Sequence, residues 1–205
     1  MFKEKFTEHA ALLPPVTPEE VEKYDQYFTL LKEWNEKINL VSRKSIDTSF
    51  AYHYADSLWI AEHSHKYLAN RTYKDVGTGA GFPGLVFAIR YPQAKVRLYE
   101  KLAKRRLFLE DVIQKLELKN TALFGALPDG KHSDLFTARA VFPVEELLPF
   151  MKRHMNMGGR LVVTLGSQKE IPEPPRSFKL LESATYELPE GAGNRKIAIF
   201  EFCST

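Results

Sequence analysis

DVGTGAGFPG, residues 75–84, follows a short β-type run, YKDV (73–76), and opens onto a helical run, LVFAIRY (85–91). A strand that turns through glycines into a helix is the ligand-holding corner of an open α/β sheet, where ligands bind beyond the carboxyl ends of the strands. Gly77, Gly79 and Gly81 let the backbone turn sharply and come close to a ligand with no Cβ in the way. Asp75 is placed to hold the turn by accepting backbone N–H bonds, or to face a charged end of the ligand.

The spacing separates this loop from other nucleotide loops. A dinucleotide fingerprint reads Gly-x-Gly-x-x-Gly. Here the glycines alternate strictly, and Phe82 stands where the last glycine would be. No lysine and hydroxyl follow the loop as a phosphate-binding Walker sequence requires. Asp-x-Gly-x-Gly-x-Gly is instead the spacing of S-adenosylmethionine binders, which cradle no pyrophosphate. Glu100 ends the next strand, KVRLYE (95–100), where a carboxylate can accept both hydroxyls of a ribose. The competing reading is a glycine-rich turn beside a surface glutamate. The strand, loop and helix context and the placed acid weigh against it.

Outward from the loop, β-type and helical runs alternate. AKRRLFLEDVIQKLEL (103–118) is an amphipathic helix, TALFG (121–125) and DLFTARAV (134–141) read as strands, and VEELLPFMKRHM (144–155) reads as a helix with Pro149 inside it. RLVVTLG (160–166) is a buried strand. FKLLESATYEL (178–188) and RKIAIFEF (195–202) alternate like antiparallel strands around a loop holding Gly191 and Gly193. Alternating strands and helices build a parallel sheet from βαβ units, and two final strands joined by a loop add a hairpin at one edge. The expected fold is α/β: a Rossmann-like, seven-stranded methyltransferase sheet.

Upstream of residue 70 the texture is helical. Thr17, Pro18 and Glu20 spell a capping box with proline at the first helical position. Val21, Tyr24, Phe28 and Leu31 then form one apolar face. A second helix is expected from Ser49 to Tyr67, with Phe50, Tyr54, Leu58 and Ala61 in line. The chain therefore divides into an N-terminal helical extension, 1–70, and a cofactor-binding domain, 71–205.

Composition narrows the classes. The chain has 205 residues, 44% of them hydrophobic, so it can bury a core without staples. A single cysteine excludes an internal disulfide framework and makes a reducing cytoplasm the expected compartment. Cysteine and histidine are too sparse for a structural zinc site, and no metal is expected. No apolar run is long enough to span a membrane, and the first residues lack the apolar core of a secretory signal. A net charge of +3 is compatible with a nucleic-acid partner without establishing one. Nothing in the pattern demands a dimer, so a monomer is expected.

Several segments, in order, resemble the RsmG (GidB) family of enzymes. They are LLKEWNEKINLVSR (30–43), HYADSL (53–58), DVGTGAGFPG (75–84), LYEKLAKRRLFL (98–109), TARA (137–140) and MGGRLVV (157–163). The resemblance implies methylation of the N7 atom of one guanine in small-subunit (16S) ribosomal RNA, with S-adenosylmethionine as cofactor and ribosomal RNA or the small subunit as partner. It puts Gly77, Phe82, Leu127 and Pro128 against the cofactor. It puts Arg139 at the cofactor near the entering base, and matches Lys104 and Arg105 to a lysine–arginine pair at a helix start. The chain departs from the family pattern in three places. Gly125-Ala126-Leu127-Pro128 replaces an Arg-x-Glu step, Leu165-Gly166 replaces a lysine–glycine pair, and Glu100 replaces an aspartate. An acid near the adenine would then fall to Asp129.

Guanine N7 offers an in-plane lone pair, so attack on a sulfonium methyl needs no general base, and no base is assigned. Arg139 is the one catalytic candidate. As a cation it suits the cofactor carboxylate, a phosphate or guanine O6 rather than the cationic product. Tyr52, Tyr54, Phe82 and Phe142 are candidates for stacking on unpaired bases or for the core. His53 and Asp56 are either site residues or locally paired side chains. Lys101, Lys104, Arg105 and Arg106, joined in space by Arg43, Lys44 and Arg71, would contact RNA phosphates or form a solvated face. Lys152 and Arg153 are expected to serve the end of their helix. The alternatives are a methyltransferase of the same fold with another RNA, protein or small-molecule substrate, a non-catalytic RNA-binding relative, and a nicotinamide oxidoreductase. The glycine spacing and the terminal hairpin speak against the last.

Overall fold

The computed structural model describes residues 1–42, 46–69, 71–128, 130, 132, 134–139 and 142–203. Seven strands form one sheet: β1 (Tyr73–Val76), β2 (Val96–Tyr99), β3 (Thr121–Phe124), β4 (Leu135–Thr137), β5 (Arg160–Gly166), β6 (Phe178–Leu188) and β7 (Gly193–Phe202). Their spatial order is β3-β2-β1-β4-β5-β7-β6. The first five pair in parallel, and β7 runs antiparallel between β5 and β6. The expected α/β sheet with an edge hairpin is therefore the fold observed.

Residues alternate across the sheet with a period of two. Val162, Ile197 and Ile199 face one layer of core, while Leu161, Val163, Ala198 and Phe200 face the other. The first layer is covered by α2 (Pro18–Asn35), α3 (Asp56–His65), α4 (Gly84–Arg90) and α5 (Ala103–Lys115), and the second by α6 (Val144–Met151). Residues on both sides of position 70 share the first core: Tyr24, Tyr27 and Tyr54 pack with Leu85, Phe87 and Phe108. Phe6 on a short α1 (Glu4–Glu8), and Phe2 just before it, join the same aromatic cluster. No helix among the described residues is long and apolar enough to cross a membrane.

The capping box is formed as the sequence implies. Thr17 Oγ1 accepts from the Glu20 N–H at 3.2 Å, and Glu20 accepts from the Thr17 N–H at 2.7 Å. Losing the cap in Thr17→Ala is expected to cost about 1 kcal/mol, a drop of about 3 °C in Tm for a chain of this size. A thermal melt checks it, and an unchanged melt would mean that helix packing alone sets the start.

Besides shifts of one or two residues, such as β7 starting at Gly193 inside the expected loop, four elements differ from the expected ones. The helix expected over 49–67 begins as a π-helix, Phe50–Ala55, and becomes α-helical only at Asp56. β4 covers three residues, because Thr137 pairs with Asp75 and two residues later β1 turns away at Gly77, which has φ +70°. α5 ends at Lys115, where Glu117 takes φ +51° and the N–H of Leu118 closes back onto the Ile113 carbonyl. α6 ends at Met151 rather than at 155, with Pro149 inside it: the Lys152 N–H still donates to the Leu148 carbonyl, and the His154 N–H then turns back onto the Met151 carbonyl.

Candidate functional site

Two buried acids build the corner. Asp75 is fully buried at the end of β1. Its carboxylate accepts from the Gly84 N–H (2.9 Å) at the start of α4 and from the Thr137 hydroxyl (3.0 Å) on β4. Burial pushes its carboxyl up, opposed by the hydrogen bonds from Gly84 and Thr137. Of the two expected roles, it therefore takes that of brace: it ties the two ends of the glycine loop together and joins β1 to β4.

Between them the loop runs through three left-handed glycines: Gly77 (φ +70°), Gly79 (φ +59°) and Gly81 (φ +95°). Gly77 and Thr78 donate to the Tyr99 carbonyl, which anchors the loop to β2. From α2, the Tyr27 hydroxyl donates to the Ala80 carbonyl. The expected apolar stripe of α2 did not include Tyr27, although it follows the buried Tyr24 at helical spacing.

Glu100, 5% exposed, faces the loop from the end of β2. It accepts from the Gly79 N–H (3.0 Å) and the Leu102 N–H (2.8 Å), with the Arg105 guanidinium 3.7 Å away. An ionised carboxylate has about four acceptor positions, so room for a diol remains.

Gly77 and Glu100 open onto a cleft of about 570 Å³ that is also lined by Val76, Tyr99, Gly125, Ala126, Leu127, Phe142, Phe150, Arg153 and His154. This volume suits a nucleoside-sized ligand. The cleft lies past the carboxyl ends of β1, β2 and β3, beside the point between β1 and β4 where the strand order reverses.

The expected site residues divide. Asp75, Gly77, Gly79, Gly81, Glu100 and Leu127 come together at this corner. Pro128 follows Leu127, and its carbonyl lies 3.3 Å from His154 Nδ1. Phe82 is 4% exposed and packs between Tyr27, His53 and Tyr54, each ring centroid 5.0 Å away. Tyr54 is fully buried. Both rings are therefore core rather than stacking surfaces, because α2 and the π-helix close over them. Phe142 is exposed beside the cleft, and half-buried Tyr52 lies under the Arg195 guanidinium.

Arg139 stands apart from the cleft lining. Its Nη1 donates to the Tyr52 carbonyl (2.8 Å) and to Asp56 Oδ2 (3.0 Å), and its Nη2 lies 3.3 Å from His53 Nδ1. Asp56 also accepts from the Tyr186 hydroxyl at 2.7 Å. Burial, reinforced by the Arg139 charge, lowers the His53 pKa to about 3, so this imidazole is neutral. The arginine expected at the cofactor is thus held in a network with His53 and Asp56, reached from residues more than eighty positions earlier.

The basic cluster is smaller than expected. Lys101 and Lys104 are exposed at the start of α5, and Arg105 faces Glu100. Arg106 is spent on the turn, donating to the carbonyls of Glu100 and Lys101. Arg71 does not join them. It precedes β1 at the opposite end of the sheet and donates to the Tyr67 and Gly158 carbonyls. Arg43, Lys44 and Asp129 lie outside the described residues. Arg153, expected at its helix end, instead lines the cleft together with His154, which no spacing in the sequence singled out.

Comparison with known proteins bears on the family and the fold. The family model described as rRNA small subunit methyltransferase G (GidB) matches residues 20–198. The protein of that name from Brevibacillus brevis is 33% identical over 98% of this chain and 91% of its own. That of Acetivibrio thermocellus is 35% identical over 80% of this chain and 69% of its own. Among solved structures, a mutant of MtNAS in complex with S-adenosylmethionine superposes with a TM-score of 0.61 at 16% identity, covering 91% of this chain and 77% of the other. A putative methyltransferase, YhhF of Escherichia coli, gives 0.55 at 16% identity, covering 72% and 87%. Those two likenesses concern the fold, whereas the match over residues 20–198 and the identity to full-length relatives go further: the chain belongs to the rRNA small subunit methyltransferase G (GidB) family.

Proposed function

We propose that this chain transfers a methyl group from S-adenosylmethionine to N7 of a guanine in small-subunit (16S) ribosomal RNA, acting as a monomer in the cytoplasm. The observation that carries the reading is the corner itself: a three-glycine loop with left-handed backbone facing an acid that retains acceptor capacity. The residues fit the cofactor. Gly77 and Gly79 give close backbone approach, Glu100 suits the ribose diol, and Ala126 and Leu127 offer an apolar wall for the adenine. Gly125 to Pro128 thus meet the cofactor through shape where an Arg-x-Glu step would have met it through charge.

When bound, the cofactor supplies an electrophilic methyl group on a sulfonium. The N7 lone pair forms the new N–C bond while the S–C pair stays on sulfur, so no proton moves and the base becomes cationic. What the chain contributes is alignment, and alignment alone is worth effective molarities of roughly 10⁵ M or more. Lys101 and Arg105 border the cleft, Lys104 is exposed on the same turn, and all three suit RNA phosphates.

The test is methyl transfer from labelled S-adenosylmethionine to small subunits taken from a host that lacks this methylation, followed by mapping of the base. A 7-methylguanosine is the expected product. Cofactor binding without transfer would move the substrate elsewhere, and no binding would leave a non-catalytic relative.

A further inference from the structure

The face of the sheet under α6 is only half covered. Parallel strands are joined by crossovers of a dozen or more residues, usually a helix. From β3 to β4 only the ten residues 125–134 cross, with no helix among the described ones. Their contacts lie with the segment after α6. The Pro128 carbonyl is 3.3 Å from His154 Nδ1, and His132 donates its N–H to the His154 carbonyl and accepts from the Asn156 N–H. Among the described residues, the core under α6 accordingly draws on β1 and on β4 to β7 and takes nothing from β2 or β3. Arg97 with its register partner Ala122, and Phe124 beyond them, are left exposed on that face.

A single exposed phenylalanine is ordinary. Phe124, 40% exposed, belongs to a larger arrangement. It stacks on Tyr99 with centroids 5.3 Å apart and planes 23° apart, and the Arg97 guanidinium lies 5.7 Å from its ring centroid. The pattern recurs nearby: exposed Phe142 packs on Phe150 at 5.5 Å, and Arg153 lies 5.4 Å from the Phe150 ring. Tyr99, Phe142, Phe150 and Arg153 all line the cleft, as does Lys101, so the open face and the cleft are continuous. The acids nearby are engaged. Asp134 holds Lys74 at 2.7 Å, and Glu100 serves the glycine loop with Arg105 beside it. What faces outward is therefore aromatic and cationic.

Such a surface fits unpaired RNA. Splayed bases stack on aromatic side chains with little regard to sequence, and cationic side chains track the phosphates between them. A duplex keeps its bases stacked inside and would leave Phe124 nothing to receive. Glu100, the acceptor for the ribose, ends β2, so Phe124 at the end of β3 lies farther toward the sheet edge, outside the place of the cofactor. We propose that the open β2–β3 face is a platform for nucleotides that flank the target guanine: one unpaired base stacks on Phe124, and Arg97 holds an adjoining phosphate. This rests on the reading of the chain as a ribosomal RNA methyltransferase. It carries the phosphate contacts of Lys101 and Arg105 down the sheet, onto strand residues outside the glycine loop.

The experiment measures methyl transfer to small subunits that lack this methylation, for wild type, Phe124→Ala, Phe124→Trp and Arg97→Gln. Phe124→Ala is expected to raise KM for the subunit about 5- to 100-fold with kcat within about twofold, because a stack on a flanking base holds ground state and transition state alike. Phe124→Trp, which keeps a ring, is expected to stay within about threefold of wild type. Arg97→Gln is expected to weaken subunit binding and to lower the slope of log affinity against log salt by about one. S-adenosylhomocysteine affinity and melting temperature report on folding, and Arg97→Gln, at an exposed position, stands even where Phe124→Ala fails to fold. A benzophenone in place of the Phe124 ring, irradiated on the subunit, is expected to crosslink to RNA. A crosslink to a subunit protein or to a second copy of this chain, or kinetics unchanged in both Phe124→Ala and Arg97→Gln, overturns the platform and leaves the methyltransferase reading intact. A wild type that binds the cofactor and does not methylate the subunits overturns both.

Discussion

Glu100→Ala weakens S-adenosylhomocysteine binding about 100-fold in a calorimetric titration. The carboxylate serves two clients. It accepts from the backbone of Gly79 and Leu102, and it keeps lone pairs for the ribose hydroxyls. Hydrogen bonds to a charged group are worth about 1.5–3 kcal/mol each, and about 1.4 kcal/mol is a factor of ten. Losing the two ribose bonds therefore gives at least about 100-fold. Alanine also leaves the Gly79 and Leu102 N–H groups without their acceptor, so the loop loosens and Tm falls. Glu100→Gln keeps one acceptor and falls in between. A change of less than threefold in Glu100→Ala would mean that the acid holds the loop alone.

Gly81→Ala destabilises the fold by about 3 kcal/mol and lowers Tm by about 9 °C. A Cβ at this position would lie 2.4 Å from Leu85 Cδ1 and 2.6 Å from the Tyr27 hydroxyl oxygen. Neither can yield freely: both residues are fully buried, and the hydroxyl is bonded to the Ala80 carbonyl. Overpacking of this kind costs about 1–3 kcal/mol, and the left-handed backbone at φ +95° adds about 1–2 kcal/mol. Gly79→Ala provides the contrast. Its Cβ meets nothing nearer than 3.9 Å, so only the backbone term remains. Equal melting shifts in the two variants would show that the contacts of Gly81 do not matter.

What the sequence made legible was whatever is set locally. Alternating glycines announced the loop because left-handed backbone is a demand each residue meets alone. β5 and β6 matched their expected ends because alternation fixes which face each side chain takes. β4 fell short because a strand lasts only as long as its neighbour, and that neighbour's turn is invisible from residues 134–141. The π-helix was hidden since one extra residue per turn leaves the apolar pattern almost unchanged. The site behaved likewise. Asp75, Glu100 and the glycines declared themselves by position along strand and loop. The Arg139–His53–Asp56 network joins segments more than eighty residues apart, and no spacing encodes that. Phe82 and Tyr54 allowed a surface and a core reading, the core one favoured, until α2 was laid across them.

The place of β7 in the sheet has a bearing on how the chain is born. Among the described residues β6 has β7 as its only neighbour, and β5 gains its second neighbour only when β7 slides in between. The ribosome, however, delivers β6 before β7. From the moment Leu188 emerges until Phe202 clears the tunnel, an eleven-residue strand and one flank of β5 stand unpaired in the nascent chain. At about 5–20 residues per second that interval lasts on the order of one to three seconds. Bare ladder edges are what aggregation feeds on, so the hairpin turn at 189–192 acts as the closing clasp, and its speed decides how long the newborn enzyme is sticky.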